Sequence, residues 1–364
     1  PVPNFGCVRQ RNESGAFQVL EQARLSARAC PIPALGALYE ARLDELELDL
    51  AILDAWGDEK RVRPLSARRY GRGSEPVRTR SLAGVLAESS LLHVARSLLD
   101  GLAPRKPEPR VLKADGDPHE GKTVASMIRH AALGAGLDVL VKVEPRLASL
   151  AATGERTVFL ADQLFTVREA RRLTAHEVFG HLVVAANARA QPLRLLQIGL
   201  ASSFADQEGL ALYLEEALGL MCTDRLRTLA ARVVATVQLY DGASFGDTAC
   251  SLFKQFGFSA PAAISIAERT FRGGGVARDA GYLAGFLRVR SAIHAGIVTL
   301  DELRRGRVSL ADTEVLRELE RAGWVQPACY RPSLLLSRRL TLGGTKADTS
   351  PPSEAASLTM LELT

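Results

Sequence analysis

Two histidines and a glutamate stand close together in the segment His176-Glu177-Val178-Phe179-Gly180-His181. Imidazole nitrogens bind zinc, and a carboxylate beside the first histidine can accept the proton of an attacking water. This His-Glu-x-x-x-His order, on a strongly helical background, predicts that His176 and His181 are metal ligands and that Glu177 is a general base. The alternative interpretation is an amphipathic helix whose histidines make ordinary hydrogen bonds.

The spacing of the two histidines sets a condition on the helix that carries them. Residues four apart return to nearly the same helical face, whereas residues five apart overshoot it by about 140°. Both rings therefore reach one ion only if the helix is locally widened, as in a single-turn π-bulge. Gly180, just before the second histidine, makes that deformation easier.

A zinc site needs a third protein ligand, and Glu208 is the candidate. It lies in a segment that reads as a helix from an N-capping Ser203 to Gly219 just past its end. The surrounding Leu and Ala residues predict a largely buried helix, in which a carboxylate needs a partner. Glu215 returns to the same face two turns later, so it either orients a zinc-bound histidine or is exposed.

These residues resemble a known family. The combination of His176-Glu177, His181 and Gln207-Glu208-Gly209-Leu210-Ala211 resembles the QEGLA-motif proteins, a bacterial family once labelled flavohemoglobin-expression modulators. The eukaryotic microtubule-associated tyrosine carboxypeptidases are similar and share the zinc motif. The resemblance spans roughly residues 30–335 and includes Phe271–Gly274 and Arg278–Leu283. The His-Glu-x-x-Gly-His form is also similar to that of dipeptidyl peptidase III.

The resemblance implies one Zn²⁺ per chain held by His176, His181 and Glu208, with Glu177 as general base, in a zincin-like metallopeptidase. Carboxypeptidase action on a peptide or protein is the first expectation, and it rests on the resemblance alone. An endopeptidase or maturation protease for one partner is the nearest alternative. A regulatory protein with a structural zinc site is a third, disfavoured because such a site has no use for Glu177.

A second segment, from Arg269 to Tyr282, also carries candidate chemistry. Three glycines after Arg272 predict a loop that approaches a ligand closely. A carboxypeptidase needs a cation for the terminal carboxylate, and Arg272 and Arg278 are the candidates because arginine binds carboxylates bidentately. Tyr282 is the candidate donor to the oxyanion of the tetrahedral intermediate. The alternatives are helix capping or ordinary ion pairs.

Composition predicts a soluble cytoplasmic enzyme. The 364 residues are 47% hydrophobic and 24% charged, with no apolar run long enough to span a membrane. The start of the chain lacks the pattern of a signal peptide. Five scattered cysteines without CxxC spacing indicate a reducing compartment.

The net charge is a modest +5, and the densest basic patch runs from Arg61 to Arg72 and on to Arg78 and Arg80. A solvated loop is the favoured interpretation of this patch. Nucleic-acid binding is disfavoured because no nucleic-acid-binding motif accompanies the patch. A third interpretation is that the patch attracts an acidic C-terminal tail of a protein substrate.

The hydrophobic pattern predicts a mostly helical α+β fold with a small sheet beside the active-site helix. The Gly/Pro/Arg-rich stretch Arg61–Arg80 is expected to be a connection and Ser81–Leu102 to be one helix. Strands are expected at Val139–Val143 and Arg156–Leu160, followed by a capping box at Thr166 and Glu169 that starts the zinc helix. Arg156–Leu160 or its neighbour is expected to be the edge strand that pairs with substrate. The predicted organisation is an N-terminal arm (1–33), an N-terminal helical region (34–110), a zincin-like catalytic domain (111–335) and a disordered tail (342–364).

Overall fold

The structure, a computed structural model, describes residues 13–80, 86–116 and 122–342. Its first third is helical apart from one two-stranded antiparallel sheet. The elements are α1 (Glu13–Arg28), α2 (Pro33–Asp54), α3 (Glu59–Tyr70), β1 (Pro76–Arg80), β2 (Leu86–Ser90), α4 (Leu91–Gly101) and α5 (Val124–Gly134). Within these ranges the mostly helical α+β prediction is confirmed.

The rest of the chain contains a three-stranded sheet followed by helices. The elements are β3 (Leu140–Glu144), β4 (Ala151–Thr153), β5 (Thr157–Ala161), α6 (Val167–Thr174), a π-helix (Ala175–Leu182), α7 (Val183–Ala190), α8 (Leu195–Ile198), α9 (Ser203–Ala217), α10 (Thr223–Tyr240), α11 (Phe245–Lys254), α12 (Ala260–Phe271), a 3-10 turn (Arg272–Gly274), α13 (Ala280–His294), α14 (Leu300–Arg304), a 3-10 turn (Leu310–Asp312), α15 (Thr313–Arg321) and α16 (Leu334–Leu342). None of the helices in the described ranges is long and apolar enough to cross a bilayer.

The three-stranded sheet has the order β3-β5-β4. β3 and β5 run parallel, with Val141 opposite Val158, and β4 is antiparallel to β5. Both expected strands are confirmed, but β5 is central and cannot be the edge strand. Its neighbours β3 and β4 form the two edges, and β4 was not predicted.

Two predicted elements are wrong. The stretch Arg61–Arg80, expected to be a connection, contains α3 and β1; the Asp58 side chain caps α3 by accepting hydrogen bonds from the Lys60 and Arg61 amides. The stretch Ser81–Leu102, expected to be one helix, contains β2 before α4. Pairing of β2 with β1 overrides local helix propensity, because strand stability depends on cross-strand contacts.

The helix that carries the two histidines starts as predicted. The Thr166 hydroxyl accepts a hydrogen bond from the Glu169 amide, and the Glu169 carboxylate accepts one from the Thr166 amide. From this capping box α6 continues without interruption into the π-helix and α7. The sequence signal therefore identified both the start of the element and its widened turn.

The predicted division of the chain remains a prediction. Residues on both sides of residue 110 share one hydrophobic cluster, in which Leu91 and Val94 of α4 pack with Leu229 and Val233 of α10. Residues 1–12 of the expected arm and 343–364 of the expected disordered tail lie outside the described residues.

Helix α9 lies in backbone contact with the elements on either side of it. A methyl group added at Gly285 of α13 would lie 1.8 Å from the carbonyl oxygen of Ala205, and one at Gly209 would lie 2.3 Å from the Gly285 carbonyl. On the opposite side, a methyl group at Gly180 of the π-helix would lie 2.5 Å from Cβ of Ala211. Glycine at these positions therefore sets the separation between α9 and its neighbours.

We expect Gly285→Ala to destabilise the protein by about 1–3 kcal/mol or more, because the added methyl group forces α9 and α13 apart. Gly246→Ala is the matched control, since an added methyl group there comes no closer than 3.8 Å to the Ser244 hydroxyl on α11. That control should be neutral or stabilising by up to about 1 kcal/mol. Chemical denaturation of both variants gives the measurement, and equal stability would contradict the close-contact interpretation.

Candidate metal centre and active site

The structure brings His176, His181 and Glu208 together. His176 Nε2 lies 3.2 Å from His181 Nε2, and Glu208 Oε2 lies 3.4 Å from the first nitrogen and 3.7 Å from the second. Three atoms that each lie about 2.0–2.2 Å from one tetrahedral zinc ion are separated from one another by roughly 3.3–3.6 Å. The observed triangle is therefore of the size that a single ion requires.

The widened helix allows the imidazole rings of His176 and His181 to approach each other. The Val183 amide donates to the Val178 carbonyl, five residues earlier, which is π-helical bonding. The two imidazole rings are consequently 4.8 Å apart between centroids and nearly perpendicular. The predicted local widening between His176 and His181 is confirmed.

The Glu208 carboxylate indicates that a cation belongs at this position. Its Oε2 atom is buried and makes no properly aligned hydrogen bond to any described residue, while it faces the two imidazole nitrogens. A buried carboxylate oxygen without a partner is costly. A metal ion ligated by Oε2 and the two Nε2 atoms would satisfy it, so the three residues fit zinc.

Glu215 orients His176 from behind. His176 Nδ1 lies 2.8 Å from Glu215 Oε1, and Glu215 is fully buried. Arg225 binds the same carboxylate with two hydrogen bonds, of 3.1 Å and 3.0 Å. An Nδ1–H that donates to Glu215 leaves the Nε2 lone pair of His176 directed at the cluster, as metal-ligating histidines require. The exposed alternative for Glu215 is wrong.

The cluster is electrostatically coupled. Burial opposes a charge on His176, but Glu208 and Glu215 outweigh it and raise its pKa to about 9. Burial also acts to raise the pKa of Glu208, yet the adjacent His176 and His181 hold it well below its usual range. A cation that binds Nε2 of His176 therefore competes with a proton there.

Glu177 lies beside the cluster on the wall of a cavity of about 620 Å³, here called the main cleft. Thr153, at the end of β4, donates a 2.8 Å hydrogen bond to Glu177 Oε2. The segment from Leu147 to Gly154 forms one side of the main cleft, so the edge strand borders the candidate site. Sequence reasoning missed Thr153 because a three-residue strand carries almost no periodic signal.

Tyr282 also lines the main cleft, within a row of aromatic rings. Its ring packs edge-to-face on Phe204, which packs in the same way on Tyr70. Burial and then the charge of Glu208 raise the pKa of Tyr282 above its usual value. The phenol therefore stays protonated and can donate a hydrogen bond at neutral pH.

Arg272 and Arg278 both line the main cleft, in different settings. Arg272 donates a 3.1 Å hydrogen bond to Glu268, whereas Arg278 is exposed with its guanidinium 5.7 Å from the centre of the Phe204 ring. The glycines after Arg272 were expected to approach a ligand, but they approach another part of the chain. Gly273 lies against the Trp56 ring, and the Gly57 amide donates to its carbonyl, so this loop approaches the α2–α3 junction.

The cleft carries more positive charge than the sequence indicated. Arg69, inside the patch interpreted as a solvated loop, is mostly buried and pairs with Glu45 at 2.7 Å. Its place on the cleft wall corrects that interpretation, because α3 turns one face of the patch inward. The arginines that line the main cleft are Arg42, Arg69, Arg269, Arg272, Arg278 and Arg307.

Phe204 was also missed by sequence reasoning, although a signal for it exists. It lies one turn before Glu208 on the same face of α9, and therefore points toward the same cleft. The predicted Ser203 cap of this helix is displaced by one residue. Ser202, with a left-handed φ of 59°, occupies the N-cap and forms no side-chain capping bond.

Comparison with protein families shows which family the chain belongs to. The family model described as microtubule-associated tyrosine carboxypeptidase matches residues 10–342. The chain belongs to this family. No curated individual protein gives a significant match. Membership of the family indicates a carboxypeptidase-like protease, in agreement with the resemblance noted from the sequence.

We expect Glu215→Gln to weaken metal binding about 10- to 100-fold, because Gln cannot supply the charge that supports His176. Competition with a chromogenic chelator measures this affinity. Glu216→Gln is the matched control, since Glu216 neighbours Glu215 on α9 but pairs with Arg290 at 2.9 Å. Equal metal affinities in the two variants would remove the orienting role of Glu215.

Proposed function

We propose that the protein is a zinc-dependent metallocarboxypeptidase that removes a C-terminal residue from a peptide or protein. The observation that carries this proposal is the convergence of three ligand atoms from His176, His181 and Glu208, all within 4.8 Å of one another, beside Glu177. Two nitrogens and one oxygen form the ligand set of catalytic zinc sites, which keep a position for water or substrate. A structural site would not need Glu177.

Each residue of the site has a definable task in peptide hydrolysis. Bound zinc would supply Lewis-acid polarisation and acidify water. Glu177 accepts the proton of the attacking water and delivers it to the amine nitrogen that leaves. The Thr153 hydroxyl holds one oxygen of this carboxylate and so fixes its orientation. Tyr282 donates a hydrogen bond to the carbonyl oxygen as negative charge develops on it.

The arginines of the main cleft favour an exopeptidase. An enzyme that removes C-terminal residues must hold a free carboxylate, and a guanidinium does so with two parallel hydrogen bonds. Arg278 presents its guanidinium to the cleft over the Phe204 ring. Arg272, at the end of α12, is the second candidate. Arg42 and Arg69 pair with Glu45, and Arg269 pairs with Asp279, so their charges are largely offset. Arg278 and Arg307 would favour a substrate with an acidic C-terminal tail, since positive walls attract negative chains.

An endopeptidase is the second candidate function, and the position of β4 favours it. An edge strand at the wall of a cleft offers unpaired backbone groups to an extended chain. β4 pairs with β5 on one side and borders the main cleft. A substrate chain added to this edge would pass the metal ligands without needing a free terminus. A cytoplasmic location, and the absence of nucleic-acid and membrane partners, remain predictions.

We expect Glu177→Gln to retain zinc and to lower turnover on the order of 10²–10⁴-fold, because Gln preserves the Thr153 hydrogen bond but cannot accept a proton. His176→Ala and Glu208→Ala should lose both zinc and activity. Metal analysis together with mass spectrometry of peptide-library digests gives both readouts. Glu144→Gln, at the half-buried end of β3, is the control. A fully active Glu177→Gln enzyme would exclude the proposed base.

Amidation of the substrate C-terminus should sharply reduce cleavage if the enzyme is a carboxypeptidase. The loss of a charged hydrogen bond is worth about 1.5–3 kcal/mol, or roughly 10- to 150-fold in kcat/KM. Arg278→Lys and Arg272→Lys should cause part of the same loss with free peptides and little with amidated ones. Arg129→Lys, in a pair with Asp115, is the control. Equal cleavage of free and amidated peptides would support the endopeptidase instead.

A further inference from the structure

A second cavity, here called the rear cleft, lies on the other side of the segment that borders the main cleft. Its volume is about 380 Å³, within the range of small-ligand sites. Leu147–Ser149 face the main cleft, whereas Leu150 faces the rear cleft. Among the described residues, seven basic and three acidic ones line it, and four of the basic ones are Lys106, Arg172, Arg225 and Arg232.

The acidic residues of the rim are already engaged. Arg168 pairs with Glu108 at 2.7 Å, and Arg110 pairs with Glu169 at 2.8 Å. Asp224 accepts a 2.9 Å hydrogen bond from the Arg105 amide. The positive charge that remains therefore lies deeper in the cleft, on the arginines of α6 and α10, and on Lys106 at its rim.

The buried carboxylates of Glu215 and Asp279 lie behind the rear cleft. Each one is bound closely by one arginine and contacts a second arginine at a longer distance. Arg225 binds Glu215 bidentately, and Arg172 donates a longer hydrogen bond of 3.4 Å to the same carboxylate. On the other side, Arg269 binds Asp279 bidentately at 2.5 Å and 3.1 Å. Arg232 reaches Asp279 only at 3.6 Å.

Arg172 and Arg232 are therefore the surplus guanidinium groups, and both form part of the wall of the rear cleft. Their side chains are only 11% and 13% exposed. The Nε atom of Arg232 is buried and has no hydrogen-bond partner among the described residues. Burial and then the charges of Arg269 and Arg225 outweigh the attraction of Asp279 and lower the pKa of Arg232 to about 10.

We propose that the rear cleft binds a phosphate-class oxyanion between Arg172 and Arg232, with Lys106 at the entrance. Each of these nearly buried guanidinium groups shares its carboxylate with a closer arginine, so positive charge is in excess and matches an anion, and their planar donors match its tetrahedral oxygens. The anion is either free phosphate or the phosphoryl group of a phosphorylated side chain. The proposed site holds none of the candidate metal ligands. It adjoins the main cleft at two points: Arg172 contacts His176 through Glu215, and the Arg232 guanidinium lies 5.4 Å from the centre of the Tyr282 ring.

The test introduces a negative charge into the rear cleft without touching the metal site. Thr228 lines the cleft and is half-buried on α10, so Thr228→Glu places a carboxylate there, and Thr228→Gln is the uncharged control of the same size. Calorimetric titration of the zinc-loaded protein with inorganic phosphate should show saturable binding. We expect Thr228→Glu to weaken that binding on the order of 10-fold, and Thr228→Gln to change it little.

Lys106→Glu and Lys106→Gln form a second pair of variants at the rim of the rear cleft, and they test the proposal if a substitution on α10 disturbs the fold.

A parallel titration with capped phosphoserine distinguishes the two sources of the anion. Binding of phosphoserine as tight as that of phosphate supports a phosphorylated side chain, whereas binding of phosphate alone supports the free ion. Absence of saturable binding would overturn the proposal. Equal phosphate affinity of the Glu variant and its Gln control would also overturn it, and would place phosphate in the main cleft.

Discussion

The backbone contacts of α9 are the constraint on which the candidate site depends. Gly209 meets Gly285 on one side, and Ala211 meets Gly180 on the other, at separations that leave no room for a larger side chain. Between these contacts lies Glu208, whose carboxylate must reach two histidines on the π-helix. Packing of this density leaves side chains little room to shift. The small residues around Glu208 are thus part of what positions the candidate metal ligands.

The charged side chains around α9 form an inner group at the candidate metal site and an outer group behind it. The inner group is the His176, His181 and Glu208 triangle, and behind it Glu215 links His176 to Arg225. Burying carboxylates and guanidinium groups is costly unless each has well-aligned partners. The bidentate Arg225–Glu215 pair meets that condition. Arg172 and Arg232 meet it only in part, and they border a separate cavity.

Sequence reasoning found the candidate metal centre because its signals are local. The five-residue separation of His176 and His181 required a widened turn, and the capping box at Thr166 marked the helix start. The edge strand, Thr153 and the inward position of Arg69 depend on contacts between distant segments. The three glycines after Arg272 were recognised as permitting close approach, but the partner they approach, Trp56, was beyond local reasoning. The roles of Arg272, Arg278 and Tyr282 depend on a bound substrate.

Glu208 and Glu215 share one helix, and that arrangement has a mechanical consequence. Seven residues are close to two full turns, so a ligand and the group that orients another ligand project from one face of α9. A displacement of the helix moves both carboxylates in step and preserves their separation. Insertion of one residue between them would instead rotate one relative to the other by about 100°. Helix α9 therefore fixes the spacing between the two carboxylates, and a change of register between them would separate the candidate ligand from the group that orients His176.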